Sequence, residues 1–483
     1  MITTGPAVDY APLLERCFFF EGTEADYDIS GVTGSVPPWL RGTYYVNGPA
    51  RFERGNARYR NWLDGDGMVS ALRFGEDGVH FTSRFVDTPK LKEERADGRF
   101  LYRGFGTSFA GDKLRRNVML EPPVNVSAYP YDGKLLAFGE QSLPYELDPV
   151  TLRTRGEYDF HGAINEVSPF SAHAKLHRGL LNFGVSFSAA QPAMHVYEFD
   201  DAGKLKRRRR HQIQLPYSVH DCGVTPRRAV FFLGPLLMNF PRFWEGCSVM
   251  ESLSWEPDRG SRILVAPRVG NDEAAFFVPA GNGYSLHVIN CFENDSRLTV
   301  DVIELARPVY GDYEPLPDLF TDVPSGRPVR YVIDCETRAV VERIEMAYDR
   351  TPDFPSVDSA LTGEAYNDFW MLGISHSGKP GRKFFDQLAH GSWNAGDVAD
   401  CFELPPGEYF GGEPVPVSSP ANPDEGVVIV QHLQPASGQA AYLLFDAQRV
   451  SSGPRCRLPL RNMIHAGFHS SFAKSPMSRA YGT

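Results

Sequence analysis

VYEFDDAGKLKRRRRHQI, residues 196–213, shows most clearly the pattern that decides the fold: an apolar strand ending near aspartate, a short turn, and a second strand of alternating character. The pattern returns as YELDPVTLRTRGEYDF (145–160), YVIDCETRAVVERIEM (331–346) and YLLFDAQRVSSGPRCRLPL (442–460). Similar hairpins far apart in a chain indicate propeller blades, which bury both faces against their neighbours and lose their exposed edges by radial closure. We therefore predict an all-β propeller, with generic hairpins of a β-sandwich as the alternative.

The composition supports many short strands. The 483 residues include 45 Gly, 38 Pro, 33 Phe and 21 Tyr, which are residues of tight turns and pleated surfaces. No low-complexity linker divides the chain. We therefore expect one domain spanning residues 1–483.

Charge and cysteine usage narrow the class of protein. A formal net charge of -11 argues against nucleic-acid partners, which require a surplus of Lys and Arg on one face. The seven cysteines are scattered and include no C-x-x-C pair, so neither a disulfide framework nor a thiolate zinc site is indicated. The N-terminal residues carry no signal-peptide pattern, and the longest apolar stretch, 229–240, is shorter than the ~20 residues of a spanning helix. We expect a cytoplasmic protein that is either soluble or bound peripherally to a membrane.

Two segments leave the question of membrane contact open. The basic run KLKRRRR (204–210) is interpreted as a solvated outer strand, and attraction to anionic lipid headgroups is the alternative. GPLLMNFPRFW (234–244) is either core or an apolar membrane patch. The sequence alone does not choose between these interpretations.

Histidines in apolar, strand-like contexts are the candidates for chemistry. They are His173 in SPFSAHAKL, His220 in YSVHDCGV, His287 in YSLHVINCF, and His465 and His469 in IHAGFHSSF. Taken singly, each is more typical of a hydrogen-bonded core histidine. Taken together in a propeller, histidines from different blades can meet at the central axis and hold a metal. All-imidazole ligation suits Fe, Cu or Zn, so spacing does not name the metal.

Eight segments in the same order carry a resemblance to the carotenoid cleavage oxygenase family, over about residues 36–475. They are GSVPPWLRGTYYVNGPARF (34–52), NWLDGDGMVSALRF (61–74), LLAFGEQSLPYELDPVTL (135–152), FSAHAKL (170–176), SVHDCGVTPRRAVFF (218–232), LHVINCFEND (286–295), GEPVPV (412–417) and GFHSSF (467–472). The resemblance implies a seven-bladed β-propeller with a cap of loops and short helices over an axial Fe(II) site.

The resemblance also assigns roles to individual residues. The implied iron ligands are His173, His220, His287 and His469. His465 is the alternative for the last of these, and His469 is preferred because it follows Gly-Phe, as the final ligand of the family does.

Three carboxylates match positions that orient ligand histidines in the family: Glu140 for His220, Asp353 for His287 and Glu413 for His469. This leaves His173 without an acidic partner. Many members have Glu where this chain has Asp353, so the shorter side chain requires a local backbone shift or a bridging water. Val124 matches a position that lines one open iron site in relatives.

The implied reaction is oxidative cleavage of a carbon–carbon double bond, with O₂ as co-substrate and two carbonyl compounds as products. Stilbene- and phenylpropene-cleaving relatives typically carry a lysine immediately before the first carboxylate, where this chain has Gly139. Glycine cannot bind a phenolate, so we expect an apolar polyene, a carotenoid or apocarotenoid, taken up through peripheral membrane contact and without an obligate protein partner. The alternatives are a stilbene- or phenylpropene-cleaving dioxygenase, a retinoid isomerase that inserts no oxygen, and a non-catalytic propeller that binds proteins.

Overall fold

Seven antiparallel sheets of four or five strands form the body of the molecule, and each is one blade of a propeller. The structure is a computed structural model and describes residues 8–115, 119–165, 167–186, 191–270, 274–422 and 425–474. The predicted seven-bladed β-propeller is confirmed.

Blades two to six are each built from four strands in chain order, the first lying innermost, and a separate two-stranded sheet is inserted between the second and third strands of blade four. Blade two has Ser127–Tyr131, Lys134–Phe138, Tyr145–Leu147 and Thr154–Glu157; blade three has Lys175–Leu176, Leu180–Ser186, Ala193–Phe199 and Leu205–Gln212; blade four has Gly223–Val224, Arg228–Leu233, Arg262–Pro267 and Phe276–Pro279; blade five has Tyr284–Asn294, Arg297–Leu305, Gly326–Asp334 and Ala339–Glu345; blade six has Asp353–Ser356, Asp368–Gly373, Gln387–Ser392 and Asp397–Glu403.

The ends of the chain close the ring. Blade one takes its innermost strand from the C-terminal part of the chain and the other four from the N-terminal part, in the order Ser470–Ala473, Gly42–Ala50, Asp66–Phe74, Val79–Phe85 and Ala25–Asp28. Blade seven runs outward as Tyr409–Ser418, Gly426–Gln434, Gln439–Asp446 and Pro454–Pro459, and Thr33–Gly34 adds an outermost fifth strand. Because each closing blade contains strands from both ends, separating the ends would break two sheets.

The four repeated sequence patterns form outer hairpins in blades two, three, five and seven. The basic run lies on Leu205–Gln212, the outer edge strand of blade three, where side chains alternate between half-buried and exposed. Charged residues on an edge strand oppose pairing with another chain. The interpretation of this run as a solvated outer strand is thereby supported.

Segments that connect the strands, mostly within blades, carry the remaining elements, and those that lie over the histidines form the predicted cap. The helices are Pro89–Asp97 and Phe240–Trp244, with 3-10 turns at Leu14–Cys17, Trp62–Asp64, Met250–Ser252, Pro257–Arg259, Tyr310–Tyr313, Ser359–Leu361 and Val450–Ser452; the two small sheets are Glu53–Arg54 with Ala57–Arg58 and Leu236–Met238 with Leu253–Trp255. Separate cap segments contact each other, since the rings of Phe105 and Tyr310 lie 5.2 Å apart and Met250 N donates to Phe105 O. No helix in the described part of the chain is long and apolar enough to cross a bilayer.

Candidate metal centre

Four of the candidate histidines converge at the propeller axis. One ring nitrogen from each of His173, His220, His287 and His469 lies within 4.8 Å of the others. The Nε2 atoms of His173 and His220 are 2.9 Å apart. The circular arrangement of the blades thus brings together four residues that are far apart in the chain, from 173 to 469.

Three histidines of the cluster are buried and His220 is partly exposed, and burial favours the neutral imidazoles of His173 and His469. Removal from water lowers the pKa of His173 and His469 well below the ordinary histidine value, and the neighbouring histidines act in the same direction. Burial also opposes protonation of His220, but the adjacent Glu140 outweighs it and raises the pKa of that ring. Neutral imidazoles offer the lone pairs that a metal requires.

Irregularities of the inner strands aim several side chains at the axis. The pairing of Tyr284–Asn294 shifts register on both sides of His287. Comparable shifts occur where Asp353 begins blade six and where Glu413 lies between Gly411 and Val415. A β-bulge redirects a side chain that regular alternation would place elsewhere. His173, His220 and His469 instead lie just before short inner strands.

The three predicted carboxylates contact the three histidines expected of them. The distances from histidine Nδ1 to the nearest carboxylate oxygen are 2.6 Å for His220 and Glu140, 2.5 Å for His287 and Asp353, and 3.5 Å for His469 and Glu413. A carboxylate at Nδ1 fixes the tautomer that leaves Nε2 free for a metal. Burial raises the pKa of Glu413 to about 7, whereas burial of Asp353 is outweighed by His287, and the pKa of Asp353 is lowered.

His173 differs from the other three, as the resemblance implies. Its nearest carboxylate among the described residues is that of Asp221, 3.7 Å from Nδ1, which is beyond hydrogen-bond distance. Asp221 is instead paired with Lys175 at 2.7 Å, and this cation, against the effect of burial, lowers the pKa of Asp221. Asp221 was not predicted at the site, although it directly follows His220 in the sequence.

The arrangement fits a metal ion. With metal–nitrogen bonds of about 2.1 Å, as in zinc–imidazole sites, two ligands at a right angle have nitrogens about 3 Å apart, close to the 2.9 Å between His173 and His220. Nε2 of His287 is buried and has no hydrogen-bond partner in the described structure. Such an orphaned polar atom is costly unless a ligand occupies the site. The four-histidine group can therefore hold a metal ion.

Two further predicted positions are placed clearly by the fold. His465, the alternative fourth ligand, lies outside the cluster: its Nε2 is 3.2 Å from Phe18 O and its ring stacks on Phe20. Val124 is 0% exposed, packs in the hydrophobic core beneath blades one and two, and has a left-handed φ of 54°. The valine that lines the cavity beside the histidines is Val126.

A largely apolar cavity under the cap opens onto the cluster. His220, His287 and His469 form its polar floor, and Leu63, Phe105, Leu120, Leu286, Phe354 and Phe468 supply apolar walls. Tyr310 and Tyr313 add two phenol rings that the sequence did not single out. A larger cavity, about 320 Å³, runs between the inner strands, but none of the four histidines lines it. The apolar cavity is therefore the one in which a bound substrate would meet the histidines.

Fold and site together define a seven-bladed propeller with an all-histidine group that can hold a metal ion. Residues 19–474 match the retinal pigment epithelial membrane protein family, and the chain belongs to this family of carotenoid oxygenases. The chain is 29% identical to apocarotenoid-15,15'-oxygenase of Synechocystis sp., covering 94% of each chain. It is 27% identical to isoeugenol monooxygenase of Pseudomonas nitroreducens, covering 94% of this chain and 96% of the relative.

Solved structures agree with the sequence relationship. The chain superposes on cobalt-substituted apocarotenoid oxygenase of Synechocystis with a TM-score of 0.88, at 28% identity, covering 96% of this chain and 100% of the other. The relatives are named as oxygenases, which supports an oxidoreductase of the oxygenase type.

Proposed function

We propose that this chain is a non-heme Fe(II) dioxygenase that cleaves a carbon–carbon double bond of a carotenoid or apocarotenoid. The observation that carries the proposal is the cluster of four histidines, three of which form the floor of an apolar cavity. Imidazole ligands suit iron among other first-row metals, and four of them leave coordination positions open.

In this proposal His173, His220, His287 and His469 hold the iron. The bound iron supplies the means to react O₂ with an alkene. Glu140, Asp353 and Glu413 keep a proton on Nδ1 of three of these rings, so that the opposite nitrogen faces the metal. The apolar walls place the double bond and exclude water from the reacting atoms.

Gly139 supports a polyene substrate. A side chain at this position would begin 3.1 Å from the backbone N and Cα of Val124, closer than most side chains approach backbone. A lysine there, able to bind a phenolate, would require the Val124 backbone to move. The similarity to an apocarotenoid oxygenase points the same way.

The volume of the cavity favours a second candidate, cleavage of a smaller aromatic alkene such as a phenylpropene or stilbene. The cavity holds about 90 Å³, less than either class of substrate occupies, and a long polyene with a terminal ring requires the larger expansion. A polyene must therefore widen the cavity or extend through its mouth. The relative named isoeugenol monooxygenase supports this candidate, because its name specifies an aromatic alkene.

We also propose peripheral membrane contact through the cap. Trp244 at the end of the helix Phe240–Trp244 is 61% exposed, and Phe109 on a neighbouring cap segment is 38% exposed. Arg103 links the segment of Phe109 to that of Trp244, because it pairs with Asp112 and donates to Cys247 O. An indole ring suits the membrane interface, where an apolar substrate is dissolved.

One experiment tests the activity. The protein is reconstituted anaerobically with Fe(II), then supplied with ¹⁸O₂ and a panel of carotenoids, apocarotenals, stilbenes and phenylpropenes. We expect labelled aldehyde or ketone products from the polyenes, and loss of both iron and activity in His220→Ala but not in His390→Ala, a buried histidine of blade six. Faster cleavage of the aromatic alkenes would overturn the substrate assignment. Isomerised, unlabelled products would indicate a retinoid isomerase, and failure to bind iron would exclude the enzyme altogether.

A further inference from the structure

The cavity above the histidines is lined by several charged side chains whose hydrogen bonds can be followed one by one. Lys90 Nζ lies 2.7 Å from Asp66 Oδ1 and 3.2 Å from Glu94 Oε2. Arg103 is paired with Asp112 at 2.8 Å. These two cations are therefore already satisfied by the protein.

The acidic side chains of the same cavity each have a hydrogen-bond donor or a ring nitrogen beside them, with one exception. Asp64 accepts hydrogen bonds from Gly106 N and Thr107 Oγ1, and Oε1 of Glu140 lies 2.6 Å from a ring nitrogen of His220. Glu121 is 6% exposed, and its Oε1 is buried without a hydrogen bond to any described residue.

Among the described residues, the cation nearest to this oxygen is engaged with another carboxylate. Arg115 Nη1 is 3.8 Å from Glu121 Oε1, beyond hydrogen-bond distance, and 2.7 Å from Glu157 Oε1, to which it donates. Burial raises the pKa of Glu121, as expected for a carboxyl group that lacks full compensation.

An unsatisfied buried carboxylate oxygen costs stability, and at a ligand cavity it indicates a donor on the ligand. Only two other buried polar atoms of this cavity lack a hydrogen bond among the described residues: His287 Nε2, which faces the metal position, and Glu140 Oε1, which has the His220 ring beside it. The Glu121 oxygen is therefore the remaining acceptor among these atoms, and a donor on the substrate can satisfy it. A carboxylate only accepts, so the complementary group is an O–H or N–H.

We propose that Glu121 is a specificity-determining residue that accepts a hydrogen bond from a hydroxyl group on the end of the substrate that enters the cavity. The proposal deepens the proposed function and rests on it. A neutral hydroxyl suits the site better than a cationic donor, because Lys90 lies in the same cavity and Arg115 is close to the carboxylate. The hydroxyl has two chemical sources, an alcohol on the ring of a polyene or a phenol on an aromatic alkene.

The test compares substrate pairs that differ only in this group: an apocarotenal with and without a ring hydroxyl, and a stilbene with and without a 4-hydroxyl. We expect kcat/KM of the iron-loaded enzyme to be about tenfold higher for the hydroxylated member of the pair that it cleaves, a factor that corresponds to about 1.4 kcal/mol. The preferred pair identifies the source of the hydroxyl. Binding of all four compounds is measured in parallel by equilibrium titration under anaerobic conditions.

Two variants and a matched control isolate the carboxylate. Glu121→Leu should lose the preference by weakening only the hydroxylated member, and Glu121→Gln, which keeps an acceptor oxygen, should retain part of it. Glu146→Gln removes a carboxylate that pairs with Arg155 on the outer hairpin of blade two, outside the cavity, and should leave the preference unchanged.

The inference is overturned if the wild type shows no preference, if the preference survives Glu121→Leu, or if that variant weakens both members of a pair equally. Cleavage without any hydroxyl preference would leave the proposed function standing and remove this inference. A hydroxyl-dependent affinity that is lost in Glu121→Leu, without turnover of any compound, would support the subsite while removing the proposed function.

Discussion

Nδ1 of His287 lies 2.5 Å from Oδ1 of Asp353, although the two residues are 66 positions apart in the chain. The contact is direct and is made without the longer side chain of glutamate. A register shift lies between Asp353 and Ser356, and Phe354 has a left-handed φ of 51°. The contact is therefore accompanied by a backbone irregularity, as expected for the shorter side chain.

This contact predicts an effect on metal affinity. Asp353→Asn removes the anionic acceptor that holds the Nδ1 proton of His287, and such changes typically weaken metal binding about 10- to 100-fold. Anaerobic metal titration measures the effect. Asp368→Asn, which alters a histidine–aspartate pair with His390 in the same blade, is the control and should leave affinity unchanged. Equal affinities of Asp353→Asn and the wild type would refute a role for Asp353 in positioning the ring.

The two C-terminal histidines are predicted to behave differently. His469→Ala should lose the metal, because it removes one of four clustered ring nitrogens. His465→Ala should keep full metal content while unfolding at a lower temperature, since His465 is buried and stacked on Phe20. Metal content per chain and thermal unfolding are measured on both variants. Normal metal content in His469→Ala together with loss in His465→Ala would reverse the ligand assignment.

A buried ionic cluster beneath the cap should be sensitive to the loss of one partner. Lys90→Met leaves Asp66 and Glu94 with only Arg54 for compensation. Breaking a buried pair in this way costs about 3–5 kcal/mol. Lys113→Met, which breaks a half-exposed pair with Glu93, should cost less than about 1 kcal/mol. Denaturant unfolding of the two variants compares these losses, and similar values would contradict the prediction.

Asp64 should give stability a specific pH dependence. Burial raises its pKa to about 6 in the folded protein, from 3.8. Between these values the folded state binds more protons than the unfolded state, so the contribution of Asp64 to stability falls as pH rises from about 4 to 6. Above pH 6 the free energy of unfolding is lower by roughly 3 kcal/mol than it would be if Asp64 kept its ordinary pKa.

Asp64→Asn isolates this contribution because the amide oxygen still accepts from Gly106 N while the group no longer titrates. Urea unfolding midpoints of wild type and variant, measured from pH 4 to 7, should diverge in favour of the variant as pH rises. Parallel curves across that range would show that Asp64 does not titrate as described.

Membrane contact predicts a role for the exposed indole of the cap. Trp244→Ser should reduce binding to phospholipid vesicles several-fold, because it removes an interfacial side chain that is 61% exposed. Val341→Ser is the matched control, since Val341 is 49% exposed on an outer strand of blade five. Vesicle co-sedimentation compares the two, and equal binding would remove the cap from consideration as the membrane-facing surface.

The sequence by itself predicted the outer hairpins and the circular fold. A strand that alternates in polarity and ends in a turn is a local pattern, and its recurrence over the length of the chain indicates blades. The structure brings together the four histidines that the motif resemblance names and sets a named carboxylate beside three of them. These residues are recognisable because most of them lie within short sequence motifs, and the motifs occur in the same order as in the family.

Other features depended on contacts between residues that are distant in sequence. Only the folded chain separates His469 from His465, puts Val126 rather than Val124 at the cavity, and leaves an oxygen of Glu121 unsatisfied. At His287, Asp353 and Glu413 the inner strands carry bulges, and a bulge of one residue reverses the direction of a side chain without changing the hydrophobic pattern that encodes the strand. The tertiary structure therefore decided which side chains face the axis and the cavity, because only closure of the ring fixes the register of each inner strand against its neighbours.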